Sequence, residues 1–252
     1  MGKKRIKDDP RIDPRRGLEA ECTSRPSSRL PQHVLLPEAV LALPLVPPSS
    51  TNTPHPASLH PVVQTLLEDG EGTSMMVASP VLTPEECAAW IQWGESTGFA
   101  LEKHAQTSQI AHRDNGRLAV ESEEIARAIA GRLEPWMPAE LAGRRPSGCN
   151  PNIRLYRYKA GQRFGPHVDQ SNRLASGATT EFTVLIYLNE DVEGGETTFF
   201  GVDGDEAAST LRFAPQAGAA LVHAHGWRCL THEGSEVRRG TKYLLRTDFA
   251  YR

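Results

Sequence analysis

The hydrophobic and polar positions of this chain follow no sustained period up to about residue 73, and two different periods after it. The first part is rich in Pro, Ser and Thr, and eleven of the 19 prolines lie before residue 62. Such a segment buries too little apolar surface to offset the entropy lost on ordering it. We therefore expect residues 1–73 to form a disordered, basic, Pro- and Ser-rich arm and residues 74–252 to form the folded domain.

A short strand is predicted at "SMMVASP", and a helix follows it in "VLTPEECAAWIQWGESTG". Thr83 is a suitable N-cap, Pro84 suits the first helical position, and Glu86 completes a capping box with Thr83. Gly98 is suited to end the helix. The apolar face of this helix would comprise Cys87, Trp90, Ile91 and Gly94.

A second helix is predicted in "ESEEIARAIAGRLEPW", where Ile125, Ile129 and Leu133 recur every four residues and Pro135 ends the pattern. Between the two helices, residues 104–120 are polar, and we predict a loop there with "DNG" as its turn.

After Pro151 the helical period gives way to alternation, which is typical of strands. The predicted strands are "NIRLYRY", "EFTVLIYL", "TTFF", "STLRFAP", "GAALVHAH" and "KYLLRTDFAY". Two helices followed by many short strands indicate an α+β domain, mainly β, whose sheets form a sandwich or a barrel.

Charge and cysteine usage narrow the class of protein. The formal net charge of −3 gives no general case for nucleic-acid binding. The four cysteines show no C-x-x-C spacing, which favours free thiols in a reducing compartment. The most apolar stretch, residues 34–46, is too short and too interrupted by Pro37 and Pro44 to span a membrane. We expect a cytoplasmic or nuclear protein without a membrane segment, in an oligomeric state that the sequence leaves open.

Two triplets, His112-Arg113-Asp114 and His167-Val168-Asp169, place an imidazole and a carboxylate two positions apart. With 9 His and 31 acidic residues among 252, chance alone gives roughly one such pair. In a strand, residues i and i+2 point to the same face, so that either pair could hold one metal ion. Only the second triplet lies in the strand-rich part of the chain.

A non-haem iron site of the facial kind needs two imidazoles and one carboxylate, with the other positions of the metal left open. If His167 and Asp169 supply two ligands, the third comes from a distant strand, and the downstream candidates are His223, His225 and His232. An anionic co-substrate on the metal also needs a cation in the cavity, and Lys242 follows His232 by ten residues. For His223 and His225, within an apolar run, packing in the core is the simpler interpretation.

Residues 151–250 resemble the Fe(II)/2-oxoglutarate-dependent dioxygenases, specifically their prolyl-4-hydroxylase-like branch. The matching pieces occur in the order of the family: "YRYKAGQRFGPHVD", "FTVLIYLN", "GGETTFF" and "THEGSEVRRGTKYLLRTD". A weaker similarity extends back to "VLTPEEC". The resemblance implies a double-stranded β-helix, or jelly-roll, core that the N-terminal helices flank.

The resemblance also implies roles for individual residues. The implied iron ligands are His167, Asp169 and His232. Lys242 matches the residue that pairs with the distal carboxylate of 2-oxoglutarate, Tyr187 matches a tyrosine that supports this carboxylate, and Tyr158 matches a tyrosine near the co-substrate.

Three further residues are weaker candidates for substrate contact. Asn115 and Arg117 lie in a region that can border the substrate mouth in the family. Arg246 lies four residues after Lys242 and so faces the same side of its strand. It could contact substrate or co-substrate, or form a structural ion pair.

The implied activity is hydroxylation of a C–H bond with Fe(II), 2-oxoglutarate and O2, with ascorbate as a further cofactor and with release of succinate and CO2. The expected substrate is a protein or peptide side chain such as proline. One alternative is a catalytically silent β-helix binding module, against which the intact His, Asp, His and Lys set argues. The other is an oxidative nucleic-acid demethylase, against which the charge and the lysine at position 242 argue.

Overall fold

The secondary structure is that of a computed structural model, which describes residues 61–70, 72–107, 110–202 and 210–252. The strands of the described residues are β1 (Val62–Asp69), β2 (Gly72–Ser79), β3 (Ala100–His104), β4 (Arg113–Glu121), β5 (Pro146–Cys149), β6 (Asn152–Lys159), β7 (Phe164–His167), β8 (Thr179–Tyr187), β9 (Glu193–Gly194), β10 (Thr197–Phe200), β11 (Thr210–Phe213), β12 (Ala220–Ala224), β13 (His232–Gly234), β14 (Val237–Arg239) and β15 (Thr241–Tyr251). The helices are α1 (Pro84–Thr97) and α2 (Glu123–Leu133), with 3₁₀ turns at Glu134–Trp136 and Gly226–Arg228.

Thirteen of these strands form one curled antiparallel sheet. Its order is β1-β2-β12-β8-β15-β6-β4-β7-β13-β10-β11, with β3 beside β4 and β5 beside β15, while β9 and β14 form a separate pair. β4 and β7 share only the pair Arg113 and Phe164, which is where the sheet folds back on itself. This architecture confirms the predicted mainly β jelly-roll core with the helices flanking it.

Alternation along the strands separates two apolar clusters on opposite faces of the sheet. On β8, Phe182, Val184 and Ile186 belong to the cluster that α1 and α2 cover. Tyr187 belongs to the second cluster, inside the curl, where it packs with residues such as Phe199 of β10. The inner face of the curl is therefore the wall on which functional side chains can meet.

The start of α1 has the predicted capping box. The Glu86 backbone N–H donates to Thr83 Oγ1 at 3.2 Å, and the Thr83 N–H donates to the Glu86 carboxylate at 2.8 Å. The same carboxylate accepts two bonds from Arg132 of α2, at 2.8 and 2.7 Å, so the cap also joins the two helices. At the other end, the N–H of Gly98 donates to the carbonyl of Gly94, as the predicted stop requires.

Two segments differ from the sequence prediction. Residues 62–69 belong to the predicted arm, but they form β1, which pairs with β2 and has mostly exposed or half-buried side chains. Residues 113–120 belong to the predicted loop, but they lie in β4, whose charged side chains obscure the alternation. In both segments cross-strand pairing, which the local pattern does not reveal, stabilises the strand. The predicted disorder of residues 1–60 lies outside the described residues and stays a prediction.

Within the described residues, no helix combines the length and the apolar character that a membrane span requires.

Gly94 permits the close approach of α1 to the sheet. A Cβ at this position would lie 2.5 Å from Leu155 Cδ2 and 2.8 Å from Phe99 Cζ. Because Leu155 is packed in the core, we expect Gly94→Ala to lower the free energy of unfolding by ~1–2 kcal/mol, measured by urea denaturation. Gly131→Ala in α2 is the matched control, since a Cβ there meets no atom within 4 Å. It should raise stability by ~0.5–1 kcal/mol through helix propensity, and equal effects of the two substitutions would contradict the close packing of α1.

Candidate active site

His167, Asp169 and His232 meet where two neighbouring strands end and begin. β7 ends at His167, β13 begins at His232, and these residues are direct partners in the antiparallel pairing, with ring centroids 4.2 Å apart. Asp169 Oδ1 lies 3.8 Å from Nε2 of His167, and its Oδ2 lies 3.7 Å from Nε2 of His232. One candidate ligand atom from each residue lies within 4.8 Å of the other two. The structure thus brings the three sequence-predicted metal ligands together.

Both imidazoles have the tautomer that metal binding needs. Nδ1 of His167 is 2.8 Å from the carbonyl oxygen of Gly165, and Nδ1 of His232 is 3.0 Å from that of Leu230. Because a carbonyl oxygen only accepts, each Nδ1 carries the proton and each Nε2 keeps a free lone pair. Burial lowers the pKa of His167 to about 3, with His232 adding to the effect, and burial also lowers the pKa of His232. Both rings are therefore neutral near pH 7.

The carboxylate of Asp169 is held by two side chains from inside the curl. Thr183 Oγ1 donates to Oδ2 at 2.7 Å, and Arg246 lies 3.0 Å from Oδ1. Burial alone would raise the pKa of Asp169, but Arg246 and, to a smaller extent, the neighbouring histidines together outweigh burial and hold this pKa well below its usual value. Arg246 thus forms an ion pair, the structural role that the sequence left open beside substrate contact.

This donor set fits a facial metal site. Two neutral imidazole nitrogens and one anionic carboxylate lie on one wall of a cavity, and Nδ1–H bonds and the Thr183 bond orient them, as is usual around metal ligands. The other residues that line the cavity are Tyr156, Tyr158, Phe164, Leu185, Thr197, Gly234, Lys242, Leu244 and Arg246.

Lys242 is a buried basic side chain on the wall of this cavity. Its Nζ donates to the carbonyl of Gly195 at 2.6 Å and lies 5.3 Å from the ring centroid of Tyr187 and 5.7 Å from that of Tyr158. Burial lowers the pKa of Lys242 to about 7. Tyr187 directs its hydroxyl to Thr197 Oγ1 at 2.6 Å. The structure therefore places the three predicted co-substrate residues around one spot.

The sequence missed a second group of polar residues beside the ligands. Nε2 of His223 lies 3.7 Å from Asp169 Oδ2, is buried and has no hydrogen-bond partner among the described residues. Cys229 Sγ is 3.8 Å from Nδ1 of both His223 and His232, and these three residues form a second group that could hold a metal. His223 is thus buried as expected, but it faces the site. The orientation of His223 follows from its cross-strand pairing with Thr183. The sequence could not reveal it, because strand register is not visible in the sequence.

His225 is buried as expected and joins the same polar network. Its Nε2 lies 2.8 Å from Thr183 Oγ1, and its Nδ1 lies 3.2 Å from the carbonyl of Thr180. It is separated from Asp169 by the Thr183 hydroxyl.

Asn115 and Arg117 do not line the cavity. The side-chain N–H of Asn115 donates to the carbonyl of Gly116 at 3.0 Å, and Arg117 pairs with Glu102 at 2.6 Å. In the triplet 112–114, Asp114 does not join the ligands but accepts from Gln162 at 2.9 Å. Within the described residues, no group of side chains that could hold a metal ion includes His112 or Asp114.

The two triplets give a matched test of metal binding. His167→Ala or Asp169→Ala removes one of three ligands, so we expect at least about a hundredfold weaker binding of Mn²⁺, measured by electron paramagnetic resonance. His112→Ala and Asp114→Asn are the controls and should leave this affinity unchanged. Equal loss of Mn²⁺ affinity in the control variants would contradict the assignment.

Part of the chain is similar in sequence to known proteins. Residues 153–247 match the family model described as the 2OG-Fe(II) oxygenase superfamily. The chain is 32% identical over 126 residues to probable prolyl 4-hydroxylase 11 of Arabidopsis thaliana, a match that covers 50% of this chain and 40% of that protein. It is 24% identical over 192 residues to probable prolyl 4-hydroxylase 8 of the same plant, covering 64% and 62%. The chain thus spans less than two thirds of either relative.

Solved structures share the fold. The viral collagen prolyl hydroxylase of Paramecium bursaria Chlorella virus-1, in its 2OG complex, has a TM-score of 0.53 at 17% identity, covering 71% of this chain and 97% of that one. A prolyl hydroxylase from Trichoplax adhaerens, in complex with a hypoxia-inducible factor oxygen degradation domain peptide fragment, has a TM-score of 0.52 at 15% identity, covering 70% and 83%. Residues 153–247 are thus similar to the 2OG-Fe(II) oxygenase superfamily, and the chain shares its fold with these two prolyl hydroxylases.

Proposed function

We propose that the protein is a 2-oxoglutarate-dependent dioxygenase that hydroxylates a C–H bond of a protein or peptide side chain. The observation that carries the proposal is the meeting of His167, Asp169 and His232 on the wall of a cavity that also contains the buried Lys242. A catalytically silent binding module would not need all four of these side chains.

Iron would be held by Nε2 of His167, Nε2 of His232 and the carboxylate of Asp169. Bound there, it supplies the redox centre at which O2 is activated. The protein's own contribution is to keep the ligands ready: carbonyl oxygens fix the ring tautomers, while Thr183 and Arg246 keep the Asp169 carboxylate anionic and oriented. Preorganised ligands bind metal without a further ordering cost.

2-Oxoglutarate would extend from the metal site toward Lys242. The ammonium group of Lys242 matches its distal carboxylate, and the hydroxyls of Tyr187 and Thr197 lie at the same end of the cavity. Leu185 and Leu244 line the space between and reduce its water content. One oxygen atom of O2 would enter the substrate, and the other would enter succinate as CO2 is lost.

A peptidyl proline is the first proposed target, because the curated relatives are named probable prolyl 4-hydroxylases. We also propose ascorbate as the reductant that maintains the iron. A cytoplasmic or nuclear location is supported by the buried free thiols of Cys87, Cys149 and Cys229.

Turnover of the co-substrate tests the proposed activity. Purified full-length protein with Fe(II), ascorbate and 2-oxoglutarate should release succinate, and peptide pools should gain one oxygen atom in mass. His232→Ala should reduce succinate release at least about a hundredfold, because it removes a ligand. Glu121→Gln, at the exposed end of β4, is the control and should keep full activity. Succinate release that is unchanged in His232→Ala would rule out the proposed centre.

The pKa of Lys242 makes co-substrate binding depend on pH. Without co-substrate this pKa is about 7, and a bound dicarboxylate raises it, so binding takes up a proton above neutrality. The affinity for 2-oxoglutarate should therefore be highest below pH 7 and fall by up to about tenfold per pH unit above it. Calorimetry of the Mn²⁺-loaded protein on both sides of neutrality measures this slope.

Variants separate Lys242 from other titrating groups. Lys242→Gln should bind 2-oxoglutarate at least about tenfold more weakly below neutrality and should lose the slope. The exposed Lys159, at the end of β6, supplies the control Lys159→Gln, which should keep both affinity and slope. A slope that persists in Lys242→Gln would show that another group controls the binding.

A further inference from the structure

Four arginines turn their side chains to the inner face of the curl, close to the candidate metal site. Arg113 and Arg117 lie on β4, Arg154 lies on β6, and Arg246 lies on β15. The register pairs Arg246 with Arg154 and places Arg117 opposite Tyr156, so the four belong to one patch across three neighbouring strands. Their side chains are only 13–19% exposed. We call these four residues the arginine cluster.

The arginine cluster has fewer acidic partners than positive charges. Glu102 is shared by Arg113 at 3.2 Å and Arg117 at 2.6 Å. Asp248 is shared by Arg154 at 2.5 Å and Arg246 at 3.5 Å. Among the described residues, the one other carboxylate that pairs with the cluster is Asp169, a candidate metal ligand.

The charge balance of the filled site makes this shortage significant. A divalent metal, Asp169, a dianionic co-substrate and protonated Lys242 together have no net charge. The arginine cluster with Glu102 and Asp248 then keeps an excess of two positive charges. Such an excess is costly in a largely buried place unless an anion joins it. In addition, Nε of Arg154 is buried without a hydrogen-bond partner in the described part of the chain.

Arg113 of the cluster adjoins a candidate metal ligand through an aromatic ring. The Arg113 guanidinium carbon lies 4.1 Å from the ring centroid of Phe164, and that ring stacks on His167 with centroids 3.7 Å apart. Only one phenyl ring therefore separates a cationic side chain from a metal ligand. The same guanidinium lies 6.0 Å from the ring centroid of Tyr156, which lines the cavity.

The phenol of Tyr156 responds to the positive field of the cluster. Burial by itself raises the pKa of Tyr156, but the nearby positive charges outweigh it, so that this pKa lies below its usual value. In order of decreasing effect, these charges belong to Arg154, Arg113, Arg246 and Arg117. A cavity wall next to the metal site thus favours a negative group.

We propose that the substrate is an acidic peptide, in which a carboxylate on the hydroxylated residue or on its immediate neighbour binds to Arg113 and Arg117. These two side chains do not line the cavity itself but lie beside Tyr156, which does. The proposal rests on the proposed function and names the class of its substrate. The low exposure of the guanidinium groups favours a side-chain-sized anion that enters the curl, over a polymer backbone that runs across the surface. A phosphoserine shares this anion chemistry, and the experiment separates the two sources.

Binding of peptide pools tests the proposal without turnover. Full-length protein is loaded with Mn²⁺ and N-oxalylglycine, an inert analogue that fills the 2-oxoglutarate site and keeps probes from Lys242. Four pools of randomised peptides, each with a fixed central Glu, Gln, Lys or phosphoserine, compete for it, and bound peptides are quantified by mass spectrometry. The Glu pool should bind about tenfold more tightly than the Gln pool, because a charge-assisted hydrogen bond replaces a neutral one. The Lys pool should bind more weakly than either.

Two substitutions should shift the preference in opposite directions. Arg117→Gln should reduce the Glu-over-Gln preference to less than about threefold, because it removes one of the proposed donors. Glu102→Gln should increase it, since two guanidinium groups are released from their shared partner. Arg157→Gln is the matched control, because Arg157 lies next to Tyr156 on β6 but pairs outside the curl with Glu95 at 2.9 Å. It should leave the preference unchanged. If Arg117→Gln does not fold, as judged by thermal denaturation, Glu102→Gln still tests the direction in which the Glu-over-Gln preference changes.

Several outcomes would overturn the proposal. These are equal binding of the Glu and Gln pools, no measurable binding of the Glu pool, a preference unchanged in Glu102→Gln, and tighter binding of the phosphoserine pool than of the Glu pool. Displacement of the Glu pool by a single-stranded oligonucleotide of higher affinity would favour nucleic acid instead. Succinate release measured in parallel separates the two claims. Turnover without acidic preference refutes only the substrate class, whereas acidic preference without turnover refutes only the proposed activity.

Discussion

The buried carboxylate of Asp169 is the constraint on which the site depends. A carboxylate removed from water must be paired and hydrogen-bonded, or it becomes protonated and is lost as a metal ligand. Thr183 and Arg246 supply this support from β8 and β15, two neighbouring strands of the sheet. The interior polar network is therefore a precondition for the metal site.

Strand β15 connects the parts of the site. Its alternation points Lys242, Arg246 and Asp248 into the curl. There Lys242 lies at the proposed co-substrate end, Arg246 pairs with the candidate ligand Asp169, and Asp248 pairs with Arg154. β15 pairs with β6 on one side and β8 on the other, so its register fixes these groups relative to Tyr158 and Thr183. A shift of one residue would turn all of them to the opposite face.

Positive charge dominates the inner wall beyond the metal ligands. In the chain as a whole acidic residues slightly outnumber basic ones, so composition gives no hint of this local excess. The excess arises because β4, β6 and β15 lie side by side, and each contributes arginines to the same face. Local fields of this kind select substrates by charge, while the metal ligands set the chemistry.

Local signals in the sequence determined much of the fold. The capping box of Thr83 and Glu86 marked the start of α1 because its bonds join residues three apart, and clear alternation marked β6, β8 and β15. β1 was missed because its apolar residues do not alternate regularly, although its partner β2 follows directly. β4 was missed because its charged side chains obscure the alternation and its partner β6 follows only after α2.

The sequence by itself also determined which residues could form the metal and co-substrate site, because ligand chemistry restricts the residue types and their order is characteristic. Only the tertiary structure decided that His167 and Asp169 meet His232 in space. It also decided that His223 faces that site, that Arg246 holds Asp169, and that four arginines share two further carboxylates. These relations join residues far apart in the chain, and they follow from strand register and from the curl of the sheet, which no local pattern encodes.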